Sequence, residues 1–392
     1  MNNANKFKII SSLIIISFIC SLINSHNIEI LREIQYKNYI KKCNDKDFFN
    51  HQYIKKEENI FLSICLPAYN MENYIESSLL SIINQSFQNF EIIIVNDNSN
   101  DNTKNIINGM QYKDKRIKCI NHLKNLGVYA SRADAILNSN GKYILLMDPD
   151  DMLINRNILR EIYIYNKKFN LDIIEFLVYY QEEDEKKIYF PKNQIFSHSH
   201  NYNKKIIIQP ELADIIFYIP NTKTFNTIIC RTIWNKLIRK EIIFNSIKYL
   251  NNGYFNNQFL IAADDTPINI LSFQFANNYS NINLPGYLYN LRKAGMSTEK
   301  TRETNHNIIL CYNYLLYFKF LFRYTQNFKK NINFFFYDFK HFSIYLFKLK
   351  ELNSPKYIPI INEFLEEISK AVIPDDFKEF FNETRKYFRN SK

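Results

Sequence analysis

Glycine is scarce in this chain, with six among 392 residues and no two in a GxG arrangement. Dinucleotide-binding fingerprints and phosphate-binding loops need clustered glycines, because the backbone approaches the ligand closely at such sites. The sequence therefore argues against both kinds of site. The same scarcity argues against a nucleotidyltransferase, a class that usually needs a glycine-rich loop for its triphosphate.

Paired cysteines are also missing. None of the six cysteines stands in a CxxC pair, so a zinc or thioredoxin-like site has no support. Concentrated basic patches are missing as well: the net charge is +11, but the lysines are spread along the chain. Dispersed charge of this kind is typical of a solvated surface, so we expect no nucleic-acid partner. Apolar residues make up 46% of the chain, which is enough for a sizeable core.

The N-terminus has the layout of a secretory signal. Lys6 and Lys8 precede an apolar run over 9–23. We interpret residues 1–25 as a cleaved signal peptide or as an uncleaved type II membrane anchor, followed by a polar stem over 26–60. Either reading predicts entry into the secretory pathway. The chain would then lie in the ER or Golgi membrane with its main domain in the lumen, or be secreted after cleavage.

From residue 61 onward, short continuous apolar runs alternate with helical patterns. The runs are FLSICL (61–66), FEIIIV (90–95), RIKCI (116–120) and KYILLM (142–147). The intervening helices are predicted from Ile75, over 99–110 and over 128–137. Continuous apolar strands that alternate with helices predict an α/β fold with a mainly parallel sheet sandwiched between helices.

Beyond residue 155 the pattern is weaker. It predicts helices over 232–244 and 261–273, and a turn and strand over 285–291. From about residue 300 to the end, aromatic residues, leucine and lysine recur at roughly helical spacing. We expect a helical C-terminal region there whose apolar residues serve packing.

Polar residues follow three of the predicted strands: PAYN (67–70), NDNSN (96–100) and DPDD (148–151). In parallel sheets, ligands bind beyond the carboxyl ends of the strands. If DPDD is extended, Asp148 and Asp150 point the same way and face one ligand. One or two carboxylates suit Mg²⁺ or Mn²⁺, which keeps water and substrate phosphates as its other ligands.

These stretches resemble the family 2 glycosyltransferases, nucleotide-sugar enzymes of the GT-A fold. The matching stretches are LPAYNMENYIESSLLSIINQSFQNFEIIIVNDNSNDNT, NLGVYASRADAI and GKYILLMDPDDML, with weaker likeness in WNKLIRKEII, ADDTPIN and YLYNLRKAGMST. The resemblance implies a GT-A domain over 61–298 and leaves 299–392 as a separate helical region.

The resemblance also implies roles for individual residues. Residues of a nucleotide-sugar site would be Pro67, Ala68 and Tyr69 around the base, Asp97 on the base or ribose, Arg132 facing the diphosphate or the metal-side carboxylates, and Asp148. A divalent cation, Mn²⁺ or Mg²⁺, would be held by Asp148 and Asp150 and would neutralise charge on the leaving nucleotide. The family's frequent Asp-Asp pair is Asn96-Asp97 here.

Transfer needs a base that takes a proton from the acceptor hydroxyl. The family places it in an acidic pair ahead of a helix, and the matching pair here is Asp264-Asp265, with Asp265 as the predicted base. Both acids would equally favour a helix N-terminus without any catalytic role. Trp234 and Lys236 match a WxK stretch and are weaker candidates for acceptor contacts. Arg292 and Ser297 match a late arginine and serine pattern.

The resemblance predicts a metal-dependent inverting transferase. It would move a sugar, by default UDP-linked, to a hydroxyl of a glycan, lipid or protein. The alternative is a nucleotide-sugar-binding or scaffold protein of the secretory pathway that kept the fold and lost catalysis, since Asn96 and Asp264 depart from the usual acids.

Overall fold

The structure is a computed structural model, and it describes residues 59–182, 188–189, 206–209, 212, 232–292, 304–328, 332–351 and 355–389. All of these residues belong to one of the chain's two compact units, Lys56–Lys392. The predicted signal or anchor over 1–25, most of the stem, and Ser297 lie outside the described residues. No helix among the residues described combines the length and the apolar character needed to cross a membrane.

Ten described strands join into one sheet. They are β1 (Leu62–Ala68), β2 (Phe90–Asn96), β3 (Ile117–Asn121), β4 (Tyr143–Leu146), β5 (Met152–Leu153), β6 (Ile173–Glu182), β7 (Ile188–Tyr189), β8 (Ile207–Ile208), β9 (Lys236–Arg239) and β10 (Asn278–Leu291). The order is β3-β2-β1-β4-β9-β6-β10-β5, with β7 beside β6 and β8 beside β10.

The named helices surround this sheet and continue beyond it. They are α1 (Ile75–Ile83), α2 (Thr103–Lys113), α3 (Val128–Leu137), α4 (Ile158–Phe169), α5 (Lys240–Gly253), α6 (Asp265–Phe275), α7 (Thr304–Asn327), α8 (Ile332–Phe342), α9 (Ile344–Glu351), α10 (Ile358–Ser369) and α11 (Asp375–Arg389).

The six main strands run in one direction. β1 pairs in parallel with β2 and β4, β2 with β3, and β6 with β10. β9 lies antiparallel between β4 and β6. The prediction of a mainly parallel α/β sheet is therefore confirmed, with one antiparallel strand in its middle.

Alternate residues of the central strands enter two separate cores. On β1, Leu62, Ile64 and Leu66 join the core that contains α1, α2 and α4, whereas Cys65 faces the opposite core. The second core contains α3, α5, α6 and the aromatic residues of the C-terminal helices. Both faces of the sheet are thus covered, which explains why the strands read as continuous apolar runs.

The helix predicted over 232–244 is wrong at its start. Residues 236–239 form strand β9, and the helix begins at Lys240 and ends at Gly253. A short apolar run fits a buried strand and a buried helix equally well. Here the gap between β4 and β6 decides the outcome, because the backbone of residues 236–239 pairs with both neighbours.

The extended conformation expected for DPDD is also wrong. The backbone N–H of Asp151 donates to the carbonyl of Asp148 at 3.2 Å, which closes a four-residue turn. Pro149 occupies the second position of this turn, where its fixed φ is favoured, and an aspartate at the first position is equally typical. Asp148 and Asp150 therefore do not share one extended segment, and their carboxylates meet different arginine partners.

Candidate active site

The third aspartate of the DPDD turn, Asp151, connects the turn to strand β10. The carboxylate of Asp151, which is buried, accepts hydrogen bonds from the Tyr287 hydroxyl at 2.7 Å and the Asn290 backbone at 2.8 Å. The same hydroxyl accepts the backbone N–H of Asp148 at 3.1 Å. Burial raises the pKa of Asp151 well above its usual range, and the charges of Asp150 and Asp148 add to the effect. Tyr287 and Asp151 thus fix the turn to strand β10.

Arg132 on α3 joins the first aspartate of the turn to the acidic pair before α6. One terminal nitrogen donates to Asp264 at 2.7 Å and also contacts Asp265, while the other donates to Asp148 at 2.8 Å. Burial acts to lower the pKa of Arg132, but the charges of the three carboxylates outweigh it and raise that pKa well above its usual value. Arg132 is therefore charged and holds three acids from two distant segments.

Asp150 has a different partner. Its carboxylate lies 2.5 Å from Nε of Arg292, whose guanidinium also stacks over the ring of Tyr74 at 5.1 Å. Burial raises the pKa of Asp150 to about 6, the nearby charge of Asp148 adds to this rise, and Arg292 opposes it. We call the set of these six ionic side chains the acidic rim: Asp148, Asp150, Asp264, Asp265, Arg132 and Arg292.

The two members of the acidic pair differ in accessibility. The side chain of Asp264 is 3% exposed, whereas that of Asp265, the first residue of α6, is 23% exposed. Burial raises the pKa of Asp265 to about 8; Arg132 opposes this shift, and Asp264 and Asp148 reinforce it. An acid with a raised pKa is a stronger base once it has lost its proton.

Asp97 lies at the end of β2 and is held on several sides. Its carboxylate accepts the backbone N–H groups of Leu126 and Gly127, both at 2.8 Å. It also lies 2.7 Å from Nδ1 of His122, whose Nε2 is 3.0 Å from the carboxylate of Asp134 on α3. Asp97 therefore fixes the loop that leads into α3, the helix that carries Arg132.

The three residues predicted around the base lie where β1 ends. Pro67 and Ala68 are buried within β1, and Tyr69 beyond the strand is 39% exposed. The carbonyl of Ala68 accepts the backbone N–H of Asp97 at 2.8 Å. The ends of β1 and β2 are thus adjacent, and Tyr69 offers an exposed aromatic ring beside them.

The side chains of Trp234 and Lys236 are both buried. Trp234 is buried and stacks on the rings of Tyr287 and Tyr289, with centroids 4.8 and 5.2 Å away. Lys236 is 0% exposed, and its ammonium lies 3.2 Å from the carboxylate of Glu175. The structure therefore places both side chains in the protein interior, and their contact with an acceptor stays a prediction.

Sequence reasoning missed two functional neighbours. His122 precedes the NLG stretch, and its position between Asp97 and Asp134 depends on the loop conformation. Tyr287 was read only as part of a strand, although its hydroxyl ties the DPDD turn together. A histidine three residues ahead of a matched motif was a usable signal. No local pattern pointed to Tyr287.

Comparison with known proteins finds a family match for part of the chain. The family model described as "Glycosyl transferase family 2" matches residues 63–243. The chain is 27% identical over 252 residues to glycosyltransferase GlyA of Streptococcus pneumoniae serotype 4, covering 63% of this chain and 33% of that protein. It is 38% identical over 101 residues to an uncharacterized glycosyltransferase of Haemophilus influenzae, covering 26% of this chain and 40% of that protein.

Among solved structures, S. aureus TarS 1-349 in complex with UDP-GlcNAc aligns with 78% of this chain and 81% of that chain, with a TM-score of 0.47 and 20% identity. The chain spans between a third and two fifths of the length of the two curated relatives. The family resemblance predicted from the sequence motifs is thus confirmed for residues 63–243, which match the model of glycosyl transferase family 2.

Proposed function

We propose that this chain is a metal-dependent inverting glycosyltransferase. It moves a sugar from a nucleotide-sugar donor, UDP-linked by default for the family, to a hydroxyl group of a glycan, lipid or protein acceptor. The observation that carries the proposal is the contact of Arg132 with Asp148, Asp264 and Asp265. Three segments far apart in the sequence bring their motif residues to one point at the carboxyl ends of the parallel strands.

The charge balance of the acidic rim favours a cation. Four carboxylates face two guanidinium groups there. The pKa values of Asp150 and Asp265 are raised to about 6 and about 8, first by burial and then by neighbouring carboxylates. Carboxylates under such mutual repulsion are stabilised by a positive charge placed among them. A divalent ion supplies that charge in compact form.

Asp148 and Asp150 would hold this ion. The described residues contain no group of three or more His, Cys, Asp or Glu side chains arranged for a metal. Two carboxylates fit Mg²⁺ or Mn²⁺ in sites where water and substrate phosphates complete the coordination. When bound, the cation would stabilise the negative charge that builds on the leaving diphosphate.

The remaining groups provide binding and proton transfer. The exposed ring of Tyr69 offers a stacking surface for the base beside Pro67, Ala68 and Asp97. In the reaction, the Asp265 carboxylate takes the proton of the acceptor hydroxyl, and the acceptor oxygen bonds to the anomeric carbon from the face opposite the diphosphate. The bond from that carbon to the diphosphate oxygen breaks, and its electron pair leaves with the nucleoside diphosphate, so the configuration inverts.

Asp265 suits the role of base better than Asp264. A general base must come within hydrogen-bonding reach of the proton it removes. Both carboxylates contact Arg132, but the Asp265 side chain is 23% exposed and that of Asp264 only 3%. We infer that Asp264 orients Arg132, and that Asp265 faces the acceptor.

For the cellular location, we keep the proposal made from the N-terminal pattern. Residues 1–25 would direct the chain into the secretory pathway, as a membrane anchor with a lumenal catalytic domain or as a cleaved signal. Extraction of the full chain from membranes with carbonate and with detergent separates these two cases. Release by carbonate alone would contradict the anchor.

The test begins with donor binding. The melting temperature of the full chain is measured with UDP-sugars and GDP-sugars, each with Mn²⁺ and with chelator. A ligand that binds the folded state raises the melting temperature. We expect a manganese-dependent rise with one donor that is lost in Asp150→Ala and kept in Asp376→Asn, a matched control whose aspartate is exposed on α11.

Turnover is then measured as nucleoside diphosphate release with that donor. Asp265→Asn should lower the rate on the order of 10²- to 10⁴-fold and leave donor binding intact, because only the base is lost. Wild-type rates in both Asp150→Ala and Asp265→Asn would overturn the mechanism. Donor binding without turnover on a broad panel of acceptors would favour the non-catalytic binding protein.

A further inference from the structure

The segment 254–264, which joins α5 to α6, ends at the acidic pair and has a strained backbone. Two non-glycine residues in it adopt left-handed conformations: Asn257 with φ 56° and Ala263 with φ 63°. Ala263 directly precedes Asp264. A residue with a Cβ in this region costs free energy, and the conformation persists only where the surroundings hold it. The contacts that hold this segment therefore determine where Asp264 and Asp265 lie.

Helix α3 holds the segment from one side. Gly127, just before α3, forms a parallel bridge with Leu260. Gly127 has φ 92°, and a Cβ there would lie 2.4 Å from the carbonyl oxygen of Leu260, so only glycine allows this approach. Helix α3 also carries Arg132, which contacts Asp264 and Asp265. The same helix therefore positions both the segment and the arginine that binds the acidic pair.

Helix α7 of the C-terminal region holds the segment from another side. Asn313, which is 1% exposed, donates from Nδ2 to the carbonyl of Phe259 at 3.0 Å. Its Oδ1 accepts the backbone N–H of Ile261 at 2.9 Å. These two bonds flank Leu260, the residue that meets Gly127. One buried amide thus satisfies the backbone on both sides of the point where the segment rests on α3.

We propose that Asn313 is a positioning residue for sugar transfer, an inference that rests on the function proposed above. Asn313 acts through the segment 254–264, and it sets Asp265 against Arg132 and the acceptor. It lies outside residues 63–243, the part that the family model matches. The C-terminal helices therefore complete the active site of this chain as well as its core.

This role predicts an effect on turnover and little effect on donor affinity. The proposed base contacts Tyr69 and Asp97 lie just beyond the ends of β1 and β2, and Gly127 stands between Asp97 and the segment. Arg132 is held by Asp148 as well as by the acidic pair. Without the amide, the segment is free to relax at Ala263 and to carry Asp265 with it. A displacement of about 1 Å in a catalytic group can lower the rate on the order of 100-fold.

The experiment compares Asn313→Leu with Thr325→Val in the full chain. Leucine keeps the branched shape of the side chain, with a somewhat larger volume, and removes both hydrogen bonds. Thr325 is a buried polar residue of the same helix whose hydroxyl donates to the carbonyl of Phe322, away from the segment. Release of UDP from the UDP-sugar that the wild type accepts, with Mn²⁺, gives kcat and KM. We expect kcat to fall roughly 10- to 100-fold in Asn313→Leu with KM within about twofold, and Thr325→Val to change neither.

A double-mutant cycle separates positioning from general loss of structure. If Asn313 acts through Asp265, Asn313→Leu should lower the residual rate of Asp265→Asn no further. Multiplicative effects would overturn the proposal. Should Asn313→Leu fail to fold, Asn313→Gln retains a donor and an acceptor on a longer arm and should give an intermediate kcat.

Wild-type kcat in the folded Asn313 variants would refute the inference and leave the proposed function standing. A wild-type chain that turns over no donor would refute both.

Discussion

The acidic rim and the C-terminal helices differ in the side chains that they bring together, which are charged in the rim and mainly aromatic in the helices. The rim gathers four carboxylates and two arginines in a partly buried place, and ionic groups lose hydration there. Helices α7 to α11 bury mainly aromatic rings, among them Phe318, Phe335 and Phe364. Burial of such rings stabilises the fold. The comparison indicates that the helices supply stability, whereas the rim concentrates charged groups at the candidate site.

The two regions also differ in how they use ion pairs. Arg132 keeps only 6% of its side chain exposed, whereas Arg323 on α7 meets Glu367 on α10 with 41% of its side chain exposed. Solvent screens the second pair and scarcely reaches the first. Five changes, taken from the largest expected effect on stability to the smallest, test this contrast.

Phe318→Ala should destabilise the chain most. Phe318 is fully buried on α7, and its ring contacts that of Phe339 edge-on at 5.3 Å. Replacement of a buried phenylalanine by alanine costs about 4 kcal/mol through lost burial and the cavity left behind. Urea unfolding measures this loss, and donor KM of the folded variant should stay unchanged. A loss below about 1 kcal/mol would show that the helices contribute little stability.

Arg132→Met should come next, with a loss of about 3 kcal/mol at neutral pH in the presence of chelator. The change leaves Asp148, Asp264 and Asp265 together without their shared arginine. We expect the low end of the range for a broken buried ion pair, because Asp148 and Asp265 keep about a quarter of their side chains exposed. Urea unfolding is again the measurement, and unchanged stability would mean that solvent already screens these acids.

Tyr287→Phe should destabilise the chain by about 2 kcal/mol, because Asp151 and the Asp148 backbone both lose a buried partner. Trp234, the only tryptophan, stacks on Tyr287, so its fluorescence reports local unfolding. Tyr129→Phe is the matched control, since its hydroxyl bonds Asn251 away from the turn. The Tyr287 change should weaken manganese-dependent donor binding, and the control should not. Equal donor binding in both would argue against a role of Tyr287 in holding the turn.

Glu91 provides a test by pH. Burial acts to raise its pKa, but hydrogen bonds from Lys118, Ser63 and Asn140 outweigh burial and lower the pKa below its usual value. A carboxyl group with a lowered folded pKa stabilises the fold above its unfolded pKa. That stability is lost as the pH falls through the folded value.

The free energy of unfolding should therefore decrease below about pH 4.5, and less steeply in Glu91→Gln than in the wild type. At pH 7 the variant should be less stable by about 1 kcal/mol, because glutamine keeps part of the hydrogen bonding. Urea titrations between pH 3 and 7 measure both. Parallel pH curves for the two proteins would contradict the assignment.

Arg323→Ala should have the smallest effect, between about 0 and 1 kcal/mol, because the side chains of Arg323 and Glu367 are 41% and 32% exposed. Comparison with Arg132→Met at low and high salt sharpens the contrast. The Arg323 effect should vanish in high salt, and the Arg132 effect should largely remain. A salt-independent loss above about 2 kcal/mol at Arg323 would remove the difference between the two regions.

The strands and helices between residues 61 and 147 could be predicted from the sequence. The four apolar runs between residues 61 and 147 are strands, and the helix predicted over 128–137 has the predicted limits. The helix predicted over 99–110 begins later, at Thr103, and ends at Lys113. Strands buried on both faces and helices with one apolar face leave local periodicities, and only capping details shift their ends.

The acidic rim could be predicted from the sequence only in part. Asp148, Asp150, Asp265 and the position of Arg132 beside the metal-side carboxylates were predicted from motifs, but the turn conformation of DPDD and the pairing of Asp150 with Arg292 were not. Lys236 was assigned to a helix and lies in β9, since the gap between two neighbouring strands decided its conformation. Asn313 carried no signal at all, because its partners Phe259 and Ile261 are backbone groups more than fifty residues away.

The sequence by itself determined the alternation of strands and helices, the carboxyl-end positions of the polar loops and the family of the domain, because all three follow from residues close together along the chain. The tertiary structure alone decided which acids share Arg132, how the DPDD turn is anchored by Tyr287, and that a C-terminal helix supports the segment before Asp264. Those outcomes depend on strand order and helix docking, and they join residues between 16 and 139 positions apart.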